Sequence, residues 1–358
     1  SMVEPTSPSA KRSRVAEDAD SNVAVYTGEE GSLAHIAATQ FFKSFPLTKL
    51  KGVHSFDCAF RDVASGKALY GIVPIENSAS GTLHSTYDLL VEHDVVIGGE
   101  LGVREVYCLC KKSGEKGLAG VRRVVSHPNI IAACSSFIET RLTPAVRADA
   151  DIAGPLATLA TRSTTEAARR VADRGSDAEG STDAAIATRE AAARFNLKIL
   201  AEDIGNDAFL ETRYILIHRR VGTAATQPTP FPRDAVSPVR KRSACFALRN
   251  EPGAIFKLLS CWALRGINVL KVETRPLAGG HRAPPGLPAG TARLWDYLFY
   301  VDYAVPPGHS TEESTRLWDA LSEFSLWQRD FGAYPSQTTR AEKQAQSWEE
   351  MVDIMAKA

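Results

Sequence analysis

The sequence has no excess of charge of either sign and no long hydrophobic run. Among 358 residues there are 42 lysines and arginines and 42 aspartates and glutamates, whereas a nucleic-acid-binding protein usually carries a basic excess on one face. No apolar stretch approaches the length of a membrane span, and none near the N-terminus has the pattern of a secretory signal. We therefore expect a cytoplasmic protein that binds neither a nucleic acid nor a membrane.

Several catalytic and metal-binding signatures are also missing. The six cysteines include no CxxC pair, which predicts reduced, mostly buried thiols rather than a disulfide scaffold. His93 stands between two acids, but side chains adjacent on a helix do not converge on one ion, so we expect no metal site. There is no GxSxG motif, and the sequence supports no serine or cysteine nucleophile with a histidine base.

Short apolar strands alternate with amphipathic helices over the first two thirds of the chain. Strands are predicted at 23–26, 69–75 and 212–218, and helices are predicted to follow Ser32, Thr82, Ser126 and Ser163. Strands separated by helices form βαβ units, so this order predicts an α/β fold with mostly parallel sheets.

A proline-rich stretch without periodicity then divides the chain. We interpret residues 219–242, which contain four prolines, as an interdomain linker. Residues 243–335 have the order strand, helix, strand, strand, helix, strand, which is typical of a ferredoxin-like domain. Residues 1–21 lack any apolar period and are predicted to be disordered, and residues 336–358 form a second tail with a helical pattern.

Polar residues lie beside the predicted strands, where ligands bind in open α/β sheets. The turn from Gly28 to Gly31 opens a helix, but the GxGxxG spacing of a dinucleotide site is absent. Helix starts present backbone N–H groups and attract anions without any lysine. Two further polar motifs are Glu76-Asn77-Ser78 and Glu211-Thr212-Arg213.

These segments together resemble the prephenate dehydratase family, including its arogenate dehydratase branch. The resemblance runs from Val23 to about Pro335, with the motifs in the family's order. They are the glycine turn at 26–32, Val-Pro-Ile-Glu-Asn-Ser at 73–78, Tyr-Asp-Leu-Leu at 87–90, Ser-His-Pro at 126–128, Ser-Thr at 163–164, Ala-Ala-Ile-Ala at 184–187 and Thr-Arg-Tyr at 212–214. The chain departs from the family where glutamines often follow Ser-His-Pro, since Asn129 and Ala133 stand there.

The resemblance implies a fold and a domain order. The fold class is α/β, with a two-lobed catalytic region like a periplasmic binding protein and a ferredoxin-like (βαββαβ) ACT regulatory domain. The catalytic domain would span 22–218, with lobe one formed by 22–101 and 197–218 and lobe two by 102–196. The ACT domain would span 243–335.

The activity implied by the resemblance is the conversion of prephenate to phenylpyruvate with loss of carbon dioxide and water. Aromatisation drives the step without redox change, so no cofactor is required. Arogenate, which has an amino group in place of the side-chain oxo group, is the alternative substrate. The enzyme must hold a dianion and help a hydroxide to leave, which suits uncharged donors in a crevice between the lobes.

Within this resemblance, we expect Thr212 to donate a hydrogen bond to the departing oxygen, because threonine is too weak an acid to stay ionised after full proton transfer. Asn77 and Ser78 would orient the ring hydroxyl or carboxylate. Arg213 would either bind a carboxylate or pair with an acid such as Glu211.

Glu76 joins the catalytic set with two alternatives. An ionised acid would repel a dianion, so Glu76 is either protonated or turned away to hold the lobe together. Backbone N–H groups at helix starts would take the substrate carboxylates. The substrate-binding residues assigned to those starts are Gly31, Ser32, Ser126, Ser163 and Thr164.

The C-terminal unit carries two motifs that are similar to those of ACT domains, Gly253-Ala254-Ile255-Phe256 and Glu273-Thr274-Arg275-Pro276. The resemblance implies that phenylalanine binds between paired ACT domains and closes the catalytic lobes, in a homodimer or a homotetramer. Asn268 and residues 273–276 would face the neighbouring subunit. The implied effector-binding residues are Asn250, Gly253, Ala254, Ile255, Asn268, Glu273, Thr274, Arg275 and Pro276.

Two other functions remain open at this point. A non-catalytic amino-acid sensor with an ACT domain would bind its ligand tightly without forming phenylpyruvate. A nucleotide-binding oxidoreductase is a weaker alternative, which a cofactor titration would test.

Overall fold

The computed structural model describes residues 22–112, 117–148, 155–173, 182–220, 240–277, 284–288, 296–306 and 308–336. The predicted N-terminal tail, nearly all of the C-terminal tail and the middle of the predicted linker lie outside these ranges. The described strands form three sheets with helices packed on them.

The strands and helices follow one another with short connections. The strands are β1 (Val23–Thr27), β2 (Lys49–Val53), β3 (Tyr70–Asn77), β4 (Gly81–Thr82), β5 (Val95–Arg104), β6 (Cys108–Lys111), β7 (Arg123–Ser126), β8 (Ala157–Ala160), β9 (Asp183–Ala187), β10 (Lys198–Ala201), β11 (Glu211–Arg219), β12 (Arg240–Leu248), β13 (Val269–Pro276), β14 (Tyr297–Val305) and β15 (Ser325–Pro335). The α-helices are α1 (Leu33–Phe41), α2 (Phe56–Ala64), α3 (His84–Glu92), α4 (Pro128–Ala133), α5 (Ser135–Phe137), α6 (Thr143–Arg147), α7 (Thr164–Asp173), α8 (Arg189–Arg194), α9 (Ala254–Ala263) and α10 (Thr311–Phe324).

The first sheet has the order β2-β1-β3-β11-β5, and β4 also pairs with β3. β1 is parallel to β2 and β3, whereas β11 runs antiparallel to both β3 and β5. β3 reads as a continuous apolar run, and Ile72 and Val73 are fully buried because elements pack on both faces of the sheet. This arrangement sets the carboxyl end of β3 beside the start of β11.

The second sheet has the order β10-β6-β9-β7-β8 and is also mixed. β7 is parallel to β8 and β9, whereas β6 is antiparallel to β9 and β10. The prediction of mostly parallel sheets is therefore wrong for the described strands. A helical crossover makes its two strands parallel, but short segments that cross between the lobes join β5 to β6 and β10 to β11. β10 belongs to the second sheet, whereas the sequence analysis assigns residues from 197 onward to lobe one.

Helix starts agree with the sequence in part. Ser163 caps α7, because its Oγ accepts a hydrogen bond from the Glu166 amide at 3.0 Å. The predicted cap at Thr82 is wrong, since Thr82 lies in β4 and Leu83 precedes α3 without a side-chain cap. The Thr82 hydroxyl instead donates to Glu273 Oε2 at 2.6 Å, across to the C-terminal unit.

The third sheet has the order β13-β14-β12-β15, with every pair antiparallel. The predicted βαββαβ order and ferredoxin-like arrangement are confirmed. The ends of the predicted linker 219–242 are strands, because β11 continues to Arg219 and β12 begins at Arg240. Residues 221–239 lie outside the described ranges.

Each face of the third sheet packs on other elements, although the outer side chains of β13 remain exposed. One face packs on α9 and α10 around Phe246 and Trp262. The other packs on the first sheet, where Tyr300 and Phe331 share a core with Tyr87. The Tyr87 and Tyr300 rings meet edge to face with centroids 4.8 Å apart. The ferredoxin-like unit is therefore held against the side of the first lobe that carries β3 and α3.

All six cysteines are free thiols, five of them buried and Cys58 half-buried, as the sequence predicts. Within the described ranges, no helix is both long and apolar enough to cross a membrane.

Candidate active site

The adjoining ends of β3 and β11 bring Asn77 to Thr212. The two residues are partners in the strand register, and Asn77 Nδ2 donates a hydrogen bond to Thr212 Oγ1 at 2.9 Å. Asn77 Oδ1 accepts from the amides of Ala79 and Ser80, each at 3.0 Å. The turn thus fixes the orientation of the amide, with its oxygen toward the backbone and its nitrogen toward the hydroxyl.

A carboxyl group that the sequence analysis does not single out lies against this pair. Glu105 Oε1 accepts from Asn77 Nδ2 at 2.9 Å and from the Thr212 hydroxyl, and Oε2 accepts from the Tyr107 hydroxyl. Glu105, Tyr107 and Thr212 are all buried. Burial, and then the charge of Glu105, raises the pKa of Tyr107, so its hydroxyl remains a donor. The site is therefore one carboxyl group surrounded by three neutral donors.

Ser78 holds the two strand ends together. Its Oγ accepts from the Glu211 amide at 2.9 Å, and its own amide donates to the Glu211 carbonyl at 2.8 Å. Because Glu211 and Ser78 directly adjoin Thr212 and Asn77, this double contact fixes the spacing of the pair.

The next residue on each strand faces the opposite side of the sheet, because side chains alternate along a strand. Arg213 Nη1 donates to Glu76 Oε2 at 2.6 Å, and Glu76 Oε1 accepts from Lys271 Nζ of the ferredoxin-like unit at 2.5 Å. Of the two alternatives for Glu76, the structure has the carboxylate turned away from Thr212. Its assignment to the catalytic set is corrected accordingly.

Arg213 also faces the ferredoxin-like unit. Besides Glu76, its guanidinium lies 3.2 Å from Glu100 and 3.1 Å from Asp302. Burial alone would lower the pKa of Arg213, but the Glu100 and Asp302 carboxylates raise it well above its ordinary value, so the side chain stays charged. The guanidinium is thus already paired with three carboxylates of the protein. This corrects the prediction that Arg213 binds a substrate carboxylate. The predicted pairing with an acid is what the structure has, with these acids in place of Glu211.

Two lysines complete a partly buried group of charges that we term the ion cluster. Lys241 Nζ lies 2.6 Å from Glu100 Oε1. Burial alone would raise the pKa of Glu100, but Arg213 and Lys241 lower it below its ordinary value. Three cations thus face three carboxylates, and half of the six residues come from the ferredoxin-like unit. The members of the ion cluster are Glu76, Glu100, Arg213, Lys241, Lys271 and Asp302.

The turn after β1 contacts the second lobe. The Gly31 amide donates to His35 Nδ1 at 3.2 Å, and the Gly31 carbonyl accepts from the Thr188 hydroxyl at 2.6 Å. With φ at 89°, a Cβ at Gly31 would lie 2.9 Å from Ala191 Cα, so both the backbone and the contact require glycine. Ser32 Oγ accepts from the His35 amide at 3.2 Å. Because these groups are used within the protein, the predicted role as carboxylate ligands is corrected to a contact between lobes for Gly31 and to the N-cap of α1 for Ser32.

The helix starts of the second lobe differ from each other. Ser126 is fully buried and donates from Oγ to the Ile186 carbonyl at 2.8 Å, and His127 rather than Ser126 precedes α4. The predicted role of Ser126 at a substrate carboxylate is therefore corrected to a bond between β7 and β9. Ser163 and Thr164 do stand at the start of α7.

Four of the predicted effector residues surround one cavity of about 350 Å³ at the start of α9. They are Asn250, Gly253, Ala254 and Ile255. Asp296 and two residues at the start of β14, Tyr297 and Phe299, complete the wall. Asn268 precedes β13 at the end that pairs with Tyr303, so it lies at the other end of the sheet from this cavity.

The remaining predicted effector residues lie on β13. Glu273 accepts from Thr82 and Arg275 donates to both Asp88 oxygens at 3.0 and 2.7 Å, so these two side chains contact the first lobe of their own chain. This corrects the prediction that the whole of 273–276 faces a neighbouring subunit. The alternate positions, exposed on the other face, are Thr274 and Pro276.

Glu105 and Tyr107 are the site residues that the sequence analysis missed. They stand in Arg104-Glu105-Val106-Tyr107, where one acid among mixed neighbours forms no polar motif. The signal that could have found Glu105 was its position, because it comes directly after the strand β5. A polar residue at the carboxyl end of a strand is the same criterion that selected Asn77 at the end of β3.

Fold and site together define a two-lobed α/β protein of the small-molecule-binding type, with a fused ferredoxin-like unit and a donor-rich polar site. The model of the prephenate dehydratase family matches residues 24–221, more than half of the chain. The chain therefore belongs to the prephenate dehydratase family, and this membership makes it a dehydratase, a carbon–oxygen lyase.

Individual relatives agree with this assignment. Arogenate dehydratase/prephenate dehydratase 2, chloroplastic, from Arabidopsis thaliana is 32% identical over 314 residues, which cover 88% of this chain and 73% of that protein. A solved prephenate dehydratase from Arthrobacter aurescens, in complex with L-Phe, has a TM-score of 0.66 at 22% identity over 94% of this chain and 100% of that one. A solved quorum-quenching acylase, GqqA, has a TM-score of 0.68 at 24% identity over 88% and 98%. At these identities the two structural likenesses show the fold alone.

Proposed function

We propose that the chain converts prephenate to phenylpyruvate at the Asn77–Thr212 pair. The observation that carries this proposal is the hydrogen-bonded hydroxyl and amide at the joined ends of β3 and β11. In the reaction, the ring carbon loses its carboxylate as carbon dioxide, and that electron pair enters the ring. The opposite carbon–oxygen bond breaks with its electron pair on oxygen, and one proton converts the departing hydroxide to water. Electrons stay within the substrate, so the step needs no redox cofactor.

Thr212 is the donor to the departing oxygen in this proposal, and Asn77 orients it. A fixed hydroxyl in a buried site stabilises developing negative charge more than water does, because no reorganisation is needed at the moment of reaction. Ser163 and Thr164 are the proposed contacts for a substrate carboxylate, since the first turn of α7 presents backbone N–H groups.

The direct test is product formation from purified protein supplied with prephenate or with arogenate. Phenylpyruvate from prephenate supports the proposal. Arogenate is a second candidate substrate because the Arabidopsis relative is named for both activities, and phenylalanine would then be the product. Tight binding of an aromatic amino acid with no turnover of either substrate would support a sensor instead.

Thr212→Val should remove turnover while leaving the fold intact. Losing one fixed donor typically lowers kcat by about 10²–10³-fold, and valine retains the shape of threonine. Steady-state kinetics and a thermal melt check the two parts of the prediction. Thr315→Val is the matched control, because Thr315 is exposed on α10 of the ferredoxin-like unit. Near-normal turnover by Thr212→Val would remove this hydroxyl from the mechanism.

The ferredoxin-like unit is proposed to be an ACT domain that binds phenylalanine in the cavity at the start of α9. Ile255 and Phe299 offer apolar contacts for a ring, and the first turn of α9 offers N–H groups for a carboxylate. The Arthrobacter relative was solved with L-Phe, which supports this ligand class.

Regulation would pass through the ion cluster. Lys271 and Asp302 of the ferredoxin-like unit contact Glu76 and Arg213, which adjoin Asn77 and Thr212 in sequence. An effector shifts activity only as far as it binds one arrangement better than the other. Activity and melting temperature measured with and without phenylalanine test this role, and no change in either would contradict it.

A homodimer or homotetramer is proposed from the apolar residues exposed on the ferredoxin-like unit. They are Ile255, Phe256, Leu264, Leu270, Val272 and Tyr297. Two of them lie on β13, an edge strand whose unpaired backbone can also join a second sheet. Light scattering on the purified chain measures the oligomeric state, and a monomer at micromolar concentration would contradict the proposal.

A further inference from the structure

Thr212 has a single hydroxyl proton, and Glu105 accepts it. We propose that Glu105 is the proton source for the departing hydroxyl, acting through Thr212 in its protonated form. This inference rests on the proposed dehydration at Asn77 and Thr212 and adds the origin of the proton that the reaction consumes.

The hydrogen-bond count at Thr212 requires this. When Glu105 is ionised, Thr212 donates to Glu105 and accepts from Asn77, so it has no proton left for a substrate oxygen. When Glu105 is protonated, its own O–H donates to Thr212 Oγ1, and the Thr212 proton becomes available to the substrate. The hydroxyl then accepts from Glu105 and Asn77 and donates once, which satisfies all of its hydrogen-bonding capacity. Thr212 can therefore act as a donor to the substrate only while Glu105 carries a proton.

The side chains that contact the Glu105 carboxyl group are neutral. Within the described ranges no ion pair joins Glu105 to a lysine, arginine or histidine, and the nearby Arg104 pairs with Asp203 at 2.7 Å. Glu105 is 8% exposed, and the groups that donate to its carboxyl oxygens are the neutral side chains of Asn77, Thr212 and Tyr107.

Hydrogen bonds also stabilise the Glu105 carboxylate, which is the form that remains after the proton has been transferred. Asn77, Thr212 and Tyr107 all donate to the carboxylate, and two of these donors are themselves buried. Three neutral hydrogen bonds stabilise a carboxylate without fixing it in an ion pair. Tyr107 donates to Oε2 in either state, so it holds the carboxyl group in place while Oε1 exchanges its proton.

The step balances with these groups alone. The O–H bond of Glu105 breaks as its proton moves to Thr212 Oγ1, and the Thr212 proton moves to the departing oxygen. The ring carbon–oxygen bond breaks with its electron pair on oxygen, which leaves as water. The bond between the ring carbon and its carboxylate breaks, its electron pair enters the ring, and carbon dioxide leaves. Thr212 ends the step as a neutral hydroxyl, and Glu105, now ionised, takes one proton from solvent before the next turnover.

Glu105→Gln separates proton supply from hydrogen-bond geometry. Glutamine can donate from Nε2 to Thr212 and accept at Oε1 from Tyr107, so it keeps these two contacts of the protonated acid without a transferable proton. It loses the contact with Asn77 Nδ2, which needs an acceptor at the position of Glu105 Oε1. We expect kcat to fall by about 10²–10⁴-fold, the usual contribution of a general acid, with KM changed by less than about threefold. A glutamine variant that keeps kcat within about threefold of wild type would overturn the proposal.

Two controls distinguish this inference from the proposed function. Asp203→Asn removes a carboxylate near the same strand end, and asparagine tolerates the φ of 50° at that position, so its kcat should be unchanged. If wild type turns over neither prephenate nor arogenate, the proposed function fails whatever Glu105 does. If wild type and Glu105→Gln both turn over normally, only the role of Glu105 fails.

A measurement on the wild-type protein gives a second, independent test. Two protons move together in the proposed relay, so the single-turnover rate constant should show a bowl-shaped dependence on the deuterium fraction of the solvent. A linear dependence, which indicates one moving proton, would contradict a relay through Thr212. This test remains decisive even if the Glu105→Gln variant fails to fold.

Discussion

The interface between the ferredoxin-like unit and the first lobe should depend strongly on the charge of Asp302. Asp302 Oδ2 lies 3.1 Å from Arg213 Nη2, and its Oδ1 accepts from the Ser243 hydroxyl at 2.6 Å. Asp302→Asn keeps the size of the side chain and an acceptor for Ser243, but it removes one carboxylate from the ion cluster. Three cations then face two carboxylates, and an amide N–H group is brought against the guanidinium.

The size of the stability loss follows from the distance between Asp302 and Arg213 and from the burial of Asp302. Two unit charges 3.1 Å apart at an effective dielectric constant of about 20 attract by roughly 5 kcal/mol. Removing the buried carboxylate also removes its desolvation cost, and Arg213 keeps Glu76 and Glu100 as partners. Breaking one partner of a buried pair typically costs about 3–5 kcal/mol. Because two partners remain, we expect a loss near the lower end, about 3 kcal/mol in the free energy of unfolding.

Tryptophan fluorescence is a suitable assay, because all five tryptophans follow residue 242 and so report on the C-terminal part of the chain. A urea titration should show the fluorescence midpoint of Asp302→Asn shifted to lower urea. The matched control is Glu312→Gln, which breaks an exposed pair with Arg316 and should change stability by less than about 1 kcal/mol. Equal midpoints for the two variants would refute the reasoning, since desolvation would then cancel the attraction within the ion cluster.

Two further predictions concern the lobe contact and acid. Gly31→Ala should lower the free energy of unfolding by more than Gly81→Ala. Both positions have a positive φ, which costs alanine about 1–3 kcal/mol, but only at Gly31 would the added Cβ contact Ala191. Equal losses of stability in urea titrations would show that the contact between lobes adds nothing. Burial opposes ionisation of Glu100, but Arg213 and Lys241 lower its pKa in the folded protein below its pKa in the unfolded chain. The ionised Glu100 therefore contributes to the stability of the fold at pH values above the unfolded pKa, and this contribution is lost as the pH falls through the folded pKa. Stability should therefore drop in acid below about pH 4, and Glu100→Gln, less stable at neutral pH, should show a shallower drop in thermal melts; parallel curves would contradict the assignment.

Local patterns in the sequence predict the C-terminal unit well. Strand and helix periods between 243 and 335 specify the βαββαβ order, and the observed elements follow that order. Helical caps such as Ser163 are also local, because the cap and its amide are three residues apart. Such features are accessible without a structure unless a distant residue takes the group, as Glu273 takes the hydroxyl of the wrongly predicted cap Thr82.

The errors concern contacts between distant segments. Glu76 and Asn77 are adjacent, and no local rule says which of them faces Thr212 and which faces Lys271, nearly 200 residues away. The mixed sheets have the same origin, because strand direction at β6 and β11 depends on the chain crossing between lobes. Glu105 was missed since its partners Asn77 and Thr212 come from β3 and β11.

In the proposed function, one strand pair carries both the reaction site and the regulatory contact. On one face of the β3–β11 ends lie Asn77 and Thr212, and on the other lie Glu76 and Arg213, a single residue away on each strand. If Asp302 moves, its ion pair with Arg213 moves Arg213 as well. Because the peptide unit that joins Thr212 to Arg213 is planar and stiff, a movement of the Arg213 backbone also displaces the backbone of Thr212. If Glu105 supplies the proton through Thr212 as proposed, small displacements at this strand end would change the rate, because they would change the distance over which the proton is passed. The alternation of side chains along a strand would then couple the domain contact to the reaction site without any contact between effector and substrate.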